Sequence, residues 1–545
     1  MMKKMKIKYF VSILLFLVLI LFNSCEDYLD INDDPNNPTE VPVSQLLATV
    51  EVDLAGSMGA SVGGLSGYTS AMVHQMFQRG GTHQFYDLQG SDFEVQTPWN
   101  IMYSRLLTDI RQIISLGTEV EGNEDWHYVG IAQIIKAYTF SVLVDIWGDV
   151  PFTEANQGST VRMPAYDKGE NIYPQLFDLI NEGITNLQKT SNLSPGNDDI
   201  IYQGDLNQWI KFGKTLKLKM YNQIRLVQDV STEINALLAD ESQLIGPGDD
   251  FEFPYGTSLS PMNRNPAYQQ EYTPGGSYFY INPYFFEILT GQNTFFPVEG
   301  NPYLGITDPR VPYYFYNQLA PGQDAENPVA YRNGDFLSIY MFSFNIDPNE
   351  GFDQSSSQTV AGLYPIGGRY DDGNGGIASF NGAGDTPQRM LTYYSRLYTQ
   401  AELALAGITS QNDSLLLAQA IQASFDKVNE VASAAGSPSI AQTDIDTYIS
   451  SIMSLYASAD NEGKLQHIMT QKWIASFGFA VDAYNDYRRT GYPLLHDGNT
   501  DNLDVTVRTR EFPLSYPWKT NDLQVNENAP AQKNITTFNV FWDAN

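Results

Sequence analysis

The residues able to do chemistry in this 545-residue chain do not group as a catalytic site would. There is no H-E-x-x-H and no G-x-x-x-x-G-K-[ST], and the five histidines (74, 83, 127, 467 and 496) are dispersed. A glycosidase would need one acid and one base carboxylate held roughly 5–10 Å apart on rigid elements. With 63 acidic residues some pair meets any such distance, so their abundance carries no information. Asp30-x-Asn32-x-Asp34-x-Asn36 starts as a calcium loop does. It then places Pro35 where the sixth-position glycine belongs and Val41 where a bidentate glutamate should close the site, which excludes an EF-hand. Asp371-Asp372-Gly373-Asn374-Gly375-Gly376 offers oxygen ligands for a structural calcium, the one cofactor the residues leave open. The single cysteine, Cys25, supports neither a disulfide framework nor a thiolate metal site.

Cys25 has another chemistry. Lys3, Lys4, Lys6 and Lys8 precede a 13-residue apolar run, Phe10 to Phe22, broken only by Ser12. A membrane span needs ~20 apolar residues, so this run reads as the core of a secretory signal. Phe22-Asn23-Ser24-Cys25 resembles the lipobox of bacterial lipoproteins, although Phe22 replaces the usual Leu or Val. The resemblance implies cleavage after residue 24 and diacylglycerol on the Cys25 thiol. Glu26, Asp27, Asp30, Asp33 and Asp34 resemble the surface-export signal of Bacteroidota lipoproteins. Loss of residues 1–24 removes four lysines and no acid, leaving 27 basic against 63 acidic residues and a net charge of −36. Such a surface repels nucleic acid and anionic lipid headgroups, so membrane attachment rests on acyl chains.

The elements that must position any site are mainly helical. Thr97-Pro98 pairs a capping residue with proline at the first helical position. Trp99, Met102, Tyr103, Leu106, Ile110, Ile113 and Ile114 then recur at helical spacing. A second helix spans Asp125 to Trp147 and stops at Gly148; the short connection predicts antiparallel packing. A third runs from Asp205 to Val227, with Lys211, Lys214 and Arg225 on a solvated face. Residues 251–320 hold 18 aromatics in 70 positions without sustained periodicity, and loop composition continues to residue 387. So much irregular chain is functional or disordered, and the aromatic content argues against disorder. Helices return with a stripe of Met390, Tyr394, Leu397, Tyr398, Ala401 and Leu405, then at about 411–434, at about 441–457, and from Leu465 to Arg488. The closing Phe541-Trp542 pair is expected to dock on the body. The predicted fold class is mainly α, a tetratricopeptide-like repeat of helix pairs carrying a large irregular, ligand-facing region. The expected organisation is a signal peptide at 1–24 and one domain over 25–545. Within it the scaffold lies at about 44–240 and 388–490, the loop-rich insert at about 241–387 and the tail at 491–545.

These landmarks resemble the SusD/RagB proteins. The resemblance is carried by CEDYLDINDDPNNPTEVPVSQLL from Cys25, IAQIIKAYTFSVLVDIWGDVPFTEA from Ile131, QWIKFGKTLKLKMYNQIRL from Gln208, RLYTQAELALAG from Arg396 and QKWIASFGFAVDAYNDYRRTGYP from Gln471. It covers residues 25 to about 493 in the family's order. It implies a lipoprotein of the outer membrane, facing outward, that captures oligosaccharide or peptide and delivers it to a SusC-like TonB-dependent transporter without cleaving it. The alternatives are a surface-anchored helical glycoside hydrolase and an adhesive lipoprotein.

The resemblance also places ligand contacts in the loop before Pro98. There Phe85, Tyr86 and Trp99 would stack on sugar rings while Arg79, His83, Asp87 and Asn100 meet hydroxyls. Trp99 equally fits the apolar stripe of its own helix. Tyr272, Tyr278, Tyr280 and Tyr316 form a second candidate wall, and Tyr370 with Asp371 and Asp372 a third. Arg488 and Arg489 read as part of a helix end, with an anionic ligand as the alternative.

Overall fold

A computed structural model describes residues 41–78, 95–273, 276–294, 300–325, 331–341, 355–379, 381–497 and 511–544. The first half is built from α1 (Val43–Met58), α2 (Leu65–Met72), the short strand β1 (Met76–Gln78), α3 (Gln96–Ile101), α4 (Leu107–Gly117) and α5 (Trp126–Trp147). Strands β2 (Val150–Pro151) and β3 (Tyr166–Asp167) lead into α6 (Gly169–Leu187), α7 (Leu206–Ile224) and α8 (Ser231–Leu238). Helix α5 is the core of this half. It is long and apolar enough to cross a membrane, yet it is buried on nearly every side by its neighbours. Its tightest contact is with α6, where Gly130 and Gly183 face each other. A Cβ on Gly130 would lie 2.7 Å from the Gly183 carbonyl, and one on Gly183 2.8 Å from the Gly130 carbonyl. No side chain fits between these backbones.

The middle of the chain carries only short elements: β4 (Phe251–Phe253), α9 (Pro266–Glu271), β5 (Phe279–Ile281), α10 (Pro283–Thr290), α11 (Val311–Tyr314), β6 (Phe315–Tyr316), β7 (Tyr331–Asn333), β8 (Phe336–Ser338), β9 (Val360–Ala361) and α12 (Leu363–Ile366). Among the described residues the strands pair only as two-stranded antiparallel ladders, β1 with β5, β6 with β9, β7 with β8, β2 with β3, and β4 with β10 (Gln388–Leu391). Two of these ladders tie the irregular region to the helices. β1 meets β5 with Gln78 opposite Phe279, and β4 meets β10 with Glu252 opposite Arg389.

The second helical half comprises α13 (Tyr393–Leu405), α14 (Asp413–Ala434), α15 (Gln442–Ser458), α16 (Asn461–Ala475) and α17 (Val481–Thr490), followed by the short α18 (Thr520–Val525). Thr392 starts α13 with a capping box, its side chain accepting from the Ser395 amide while Ser395 accepts from the Thr392 amide. The tail folds back as expected. Trp542 is fully buried and its indole N–H donates to Asp145 at 2.8 Å, while Phe541 packs edge-on against Tyr173.

Four local expectations change. The helix expected at Pro98 begins at Gln96 without a side-chain cap, and a π turn at Met102–Leu106 joins α3 to α4. That turn, one residue longer than an α turn, lets Trp99, Met102, Leu106, Ile110 and Ile113 all face inward. Met390 sits on β10 rather than in the helix, because the β4 ladder holds it extended. The long helix from Leu465 to Arg488 is two helices, broken around Gly478, whose φ of 98° lets it pass close to the Pro365 backbone. Arg225 is not on a solvated face; it donates to Glu402 at 2.7 Å in a buried ion cluster.

Candidate ligand-binding face

The irregular region is braced from inside by buried polar side chains. Gln318 donates to the Ser355 and Gln358 carbonyls and accepts from the Ala378 amide at 2.7 Å. Gln358 donates to the Phe279 carbonyl at 2.8 Å. Glu271 accepts from the amides of Tyr278 and Phe279 and from the Gln270 side chain. Burial pushes its carboxyl up to about 7, against the pull of those three donors. Four stretches far apart in sequence are thus tied together through side-chain amides and one carboxyl. A bare loop could not satisfy its own backbone this way.

Aromatic rings complete the support. Tyr268 and Tyr272 stack at 4.9 Å, and the Tyr272 hydroxyl donates to Ala361 while accepting the Arg369 amide at 2.9 Å. The Tyr316 hydroxyl donates to the Gly376 carbonyl at 2.8 Å, closing the base of the 369–376 loop. Above that ring lies the Arg369 guanidinium, 4.4 Å from its centre. Among the described residues the Arg369 side chain has no ion pair and no hydrogen bond, so its N–H donors remain available.

Around Arg369 the loop presents complementary groups. Asp371 is turned inward: it accepts from the Asn317 side chain at 2.7 Å and from the Gly373 amide, and burial raises its pKa. Asp372 faces solvent, its pKa lowered by hydrogen bonds from Asn374 and further by the Arg369 charge. Tyr370 rests on Tyr313 at 4.9 Å with part of its ring exposed. Ile377, just after the loop, is 58% exposed, and Tyr278, on the separate 276–279 stretch, is 49% exposed. On this loop the guanidinium over the Tyr316 ring, the exposed Asp372 carboxylate and the part-exposed Tyr370 ring can donate to hydroxyls, accept from them and cover an apolar sugar face. Both Asp371 oxygens and one Asp372 oxygen accept hydrogen bonds from backbone amides. Among the described residues no group of three or more His, Cys, Asp or Glu is arranged to hold a metal ion.

The candidate residues fall into three sets. Cys25, Arg79, His83, Phe85, Tyr86 and Asp87 lie outside the described residues. Tyr370 and Asp372 come together on the loop beside Arg369. Tyr278 stays exposed, and the remainder are corrected to supporting positions. Trp99 is core, packed on Tyr103 at 4.7 Å and Trp147 at 5.3 Å. Asn100 accepts from Lys519 of the tail at 2.6 Å. Tyr272, Tyr280 and Tyr316 are buried: Tyr280 stacks on Phe77, and the other two hold the loop backbone. A large ring gains more by covering apolar surface than by facing water, and a hydroxyl that reaches a carbonyl removes the penalty for burying it. Arg488 and Arg489 are also internal. Arg489 pairs with Glu402 and Asp486, and Arg488 lies against the rings of Tyr484 and Trp542.

Arg369 was not among the residues singled out from sequence. Its signal was present in the run Arg-Tyr-Asp-Asp-Gly-Asn-Gly-Gly, a cation and a ring directly before a turn-forming stretch. What sequence does not show is the Tyr316 platform 53 positions earlier.

Comparison with known proteins places this architecture. The fold matches a SusD/RagB family protein from Bacteroides thetaiotaomicron with a TM-score of 0.67 at 22% identity, over 93% of this chain and 99% of that one. A chitin-binding SusD homologue from Flavobacterium johnsoniae matches with a TM-score of 0.65 at 18% identity, over 92% and 98%. Another structure described as a chitin-binding protein gives 0.67 at 19%, over 92% and 100%. No curated protein sequence matches the chain. A family model matches residues 35–513, nearly all of the chain beyond its leader-like N-terminus. The chain therefore belongs to the SusD-like family described as starch-binding and associating with the outer membrane.

Proposed function

We propose that this protein captures oligosaccharide at the cell surface and hands it uncleaved to a SusC-like TonB-dependent transporter, anchored meanwhile by lipid on Cys25. The observation that carries the reading is the Arg369 guanidinium stacked on Tyr316, beside exposed Asp372. Stacking fixes the guanidinium plane before a ligand arrives, so less rotamer freedom is lost on binding. Two structural relatives are described as chitin-binding, which makes β-linked amino-sugar oligomers the first ligands to try, with malto-oligosaccharides beside them.

Isothermal titration of wild type, Arg369→Ala and Asp372→Ala against both series tests the reading. Each deleted contact should cost about 1–2 kcal/mol, roughly tenfold in affinity, with the circular dichroism spectrum unchanged. Equal affinities in all three proteins would move the site elsewhere. Binding of peptides but no glycan would change the ligand class, and release of shortened glycan would replace the binding reading with an enzymatic one.

The anchor has its own test. Cys25→Ala should turn a membrane-bound protein into a soluble one, and the lipidated form should copurify with a large outer-membrane barrel. Mass spectrometry finding an unmodified Cys25 thiol in the membrane-bound protein would refute the lipid anchor.

A further inference from the structure

Two carboxyls meet in the core where the turn at 199–204 reaches α1. Glu51 and Asp199 are both fully buried, and their side chains are hydrogen-bonded to each other. Two ionised carboxylates are acceptors only and cannot make such a bond, so one of the pair carries a proton. The pair shares no residue with the Arg369 face.

The surrounding donors identify which one. Asp199 accepts at both oxygens, from the Tyr202 amide at 2.9 Å, the Gly204 amide at 2.9 Å and the Trp209 indole N–H at 2.7 Å. Glu51 Oε2 accepts from the Ile200 amide at 2.7 Å, but Oε1 receives no donor among the described residues. Three donors suit an ionised Asp199, and a bare Oε1 suits the O–H of a neutral Glu51. The cations on neighbouring elements are engaged elsewhere. Arg105 of the π turn pairs with Asp53, Lys211 of α7 with Asp249 and Lys427 with Glu252 of β4, while Arg389 of β10 lies on the Tyr364 ring. Of the neighbouring acids, Asp109 of α4 faces Arg105, and Asp198 accepts from the Tyr128 hydroxyl of α5. Burial and the Asp199 charge hold the Glu51 carboxyl well above the usual carboxylate range.

The turn that these acids bind is strained. Gln203 and Gly204 are both left-handed, with φ of 52° and 85°, and a Cβ on Gly204 would lie 2.4 Å from the Pro195 carbonyl oxygen. A left-handed residue other than glycine persists where its surroundings over-determine it, and here the amides of Ile200, Tyr202 and Gly204 are all tied to the two carboxyls. The same turn lines an open cleft of about 380 Å³, together with Lys427 and Glu430 of α14.

We propose that Glu51 and Asp199 share one proton, and that this proton clasps the 199–204 turn to α1 and releases it under alkaline conditions. With the proton in place, Glu51 Oε1 donates to Asp199. Its loss to solvent leaves two negative charges facing each other in the core, and the turn must move to let water reach one of them. Because the folded Glu51 carboxyl titrates above the unfolded value of 4.5, its stabilisation is complete below that value and is lost as pH rises through the folded one.

Neutron diffraction from deuterium-exchanged crystals of the mature protein near pH 7 tests this directly. Deuterium on Glu51 Oε1, directed at Asp199, is expected. A bare carboxyl pair, or a metal ion between the two, overturns the proposal. In solution, Glu51→Gln keeps a donor for Asp199 and an acceptor for the Ile200 amide but has no proton to lose. Its melting temperature, relative to wild type, should rise by about 2–4 °C between pH 5 and pH 8. A difference that stays constant over that range would also overturn the proposal, and the diffraction result stands even if the variant does not fold.

Discussion

Replacing Glu402 with Gln is expected to destabilise the protein by about 3–5 kcal/mol, the cost of removing one member of a buried ion cluster. Glu402 is almost fully buried on α13 and receives Arg225 at 2.7 Å, Arg489 at 3.0 Å and the Asn222 side chain at 3.1 Å. Arg489, itself buried on α17, keeps only Asp486 when the charge on Glu402 is lost. Burial alone would raise the Glu402 carboxyl, but the Arg489 and Arg225 guanidiniums outweigh it and hold the group well below the usual carboxylate range. The folded carboxyl therefore titrates below the unfolded one. Its stabilisation is complete above the unfolded value of 4.5 and is lost as pH falls through the lower folded value. Denaturant unfolding at several pH values should show wild type and Glu402→Gln furthest apart near pH 7, converging under strongly acidic conditions. A gap below about 1 kcal/mol at pH 7 would mean that the cluster contributes little.

The second large effect is expected at the other end of the chain. Trp542→Ala should cost about 3–5 kcal/mol, as removal of a buried tryptophan does. The Arg488 guanidinium lies 4.8 Å from the centre of this ring and 4.1 Å from that of Tyr484. Its N–H joins the Tyr173 hydroxyl on Asp145, a carboxyl that burial raises to about 6 even with those donors in place. Taking away the indole therefore opens a cavity and removes a donor from a buried acid, and both changes act in the same direction. Thermal unfolding of the variant, with limited proteolysis to locate the first cut, measures it. The tail should be released before the helices melt. An unchanged melting temperature would show that the tail is an accessory and not part of the core.

Composition and spacing were enough for the helical scaffold. Apolar residues at helical period mark α5, α7, α14 and α15 to within a few residues, because each helix buries one continuous stripe and its turns carry their own punctuation. The same local reasoning failed where a contact from far along the chain decides the outcome. Met390 is extended because Phe251–Phe253 pairs alongside it, and α16 stops before α17 because Gly478 must pass the Pro365 backbone.

The candidate face divides in the same way. An aromatic segment without periodicity, ending in a Gly- and Asn-rich turn, was legible as a region distinct from the helices, and Tyr370 and Asp372 fall on one of its loops. Which rings face water was not legible, since a tyrosine that stacks on sugar and a tyrosine that holds a loop look alike in sequence. Burial turned Tyr272, Tyr280 and Tyr316 inward and left Tyr278 outside. The Arg369–Tyr316 pair, the Gln318–Gln358 braces and the Glu51–Asp199 pair all join residues brought together only by packing. Sequence alone determined the repeat of helix pairs and the composition of the surface. Tertiary structure decided which charges are spent on internal partners and which remain free, because an ionic group's role depends on what lies within a few ångströms of it, and that distance is a property of the folded chain.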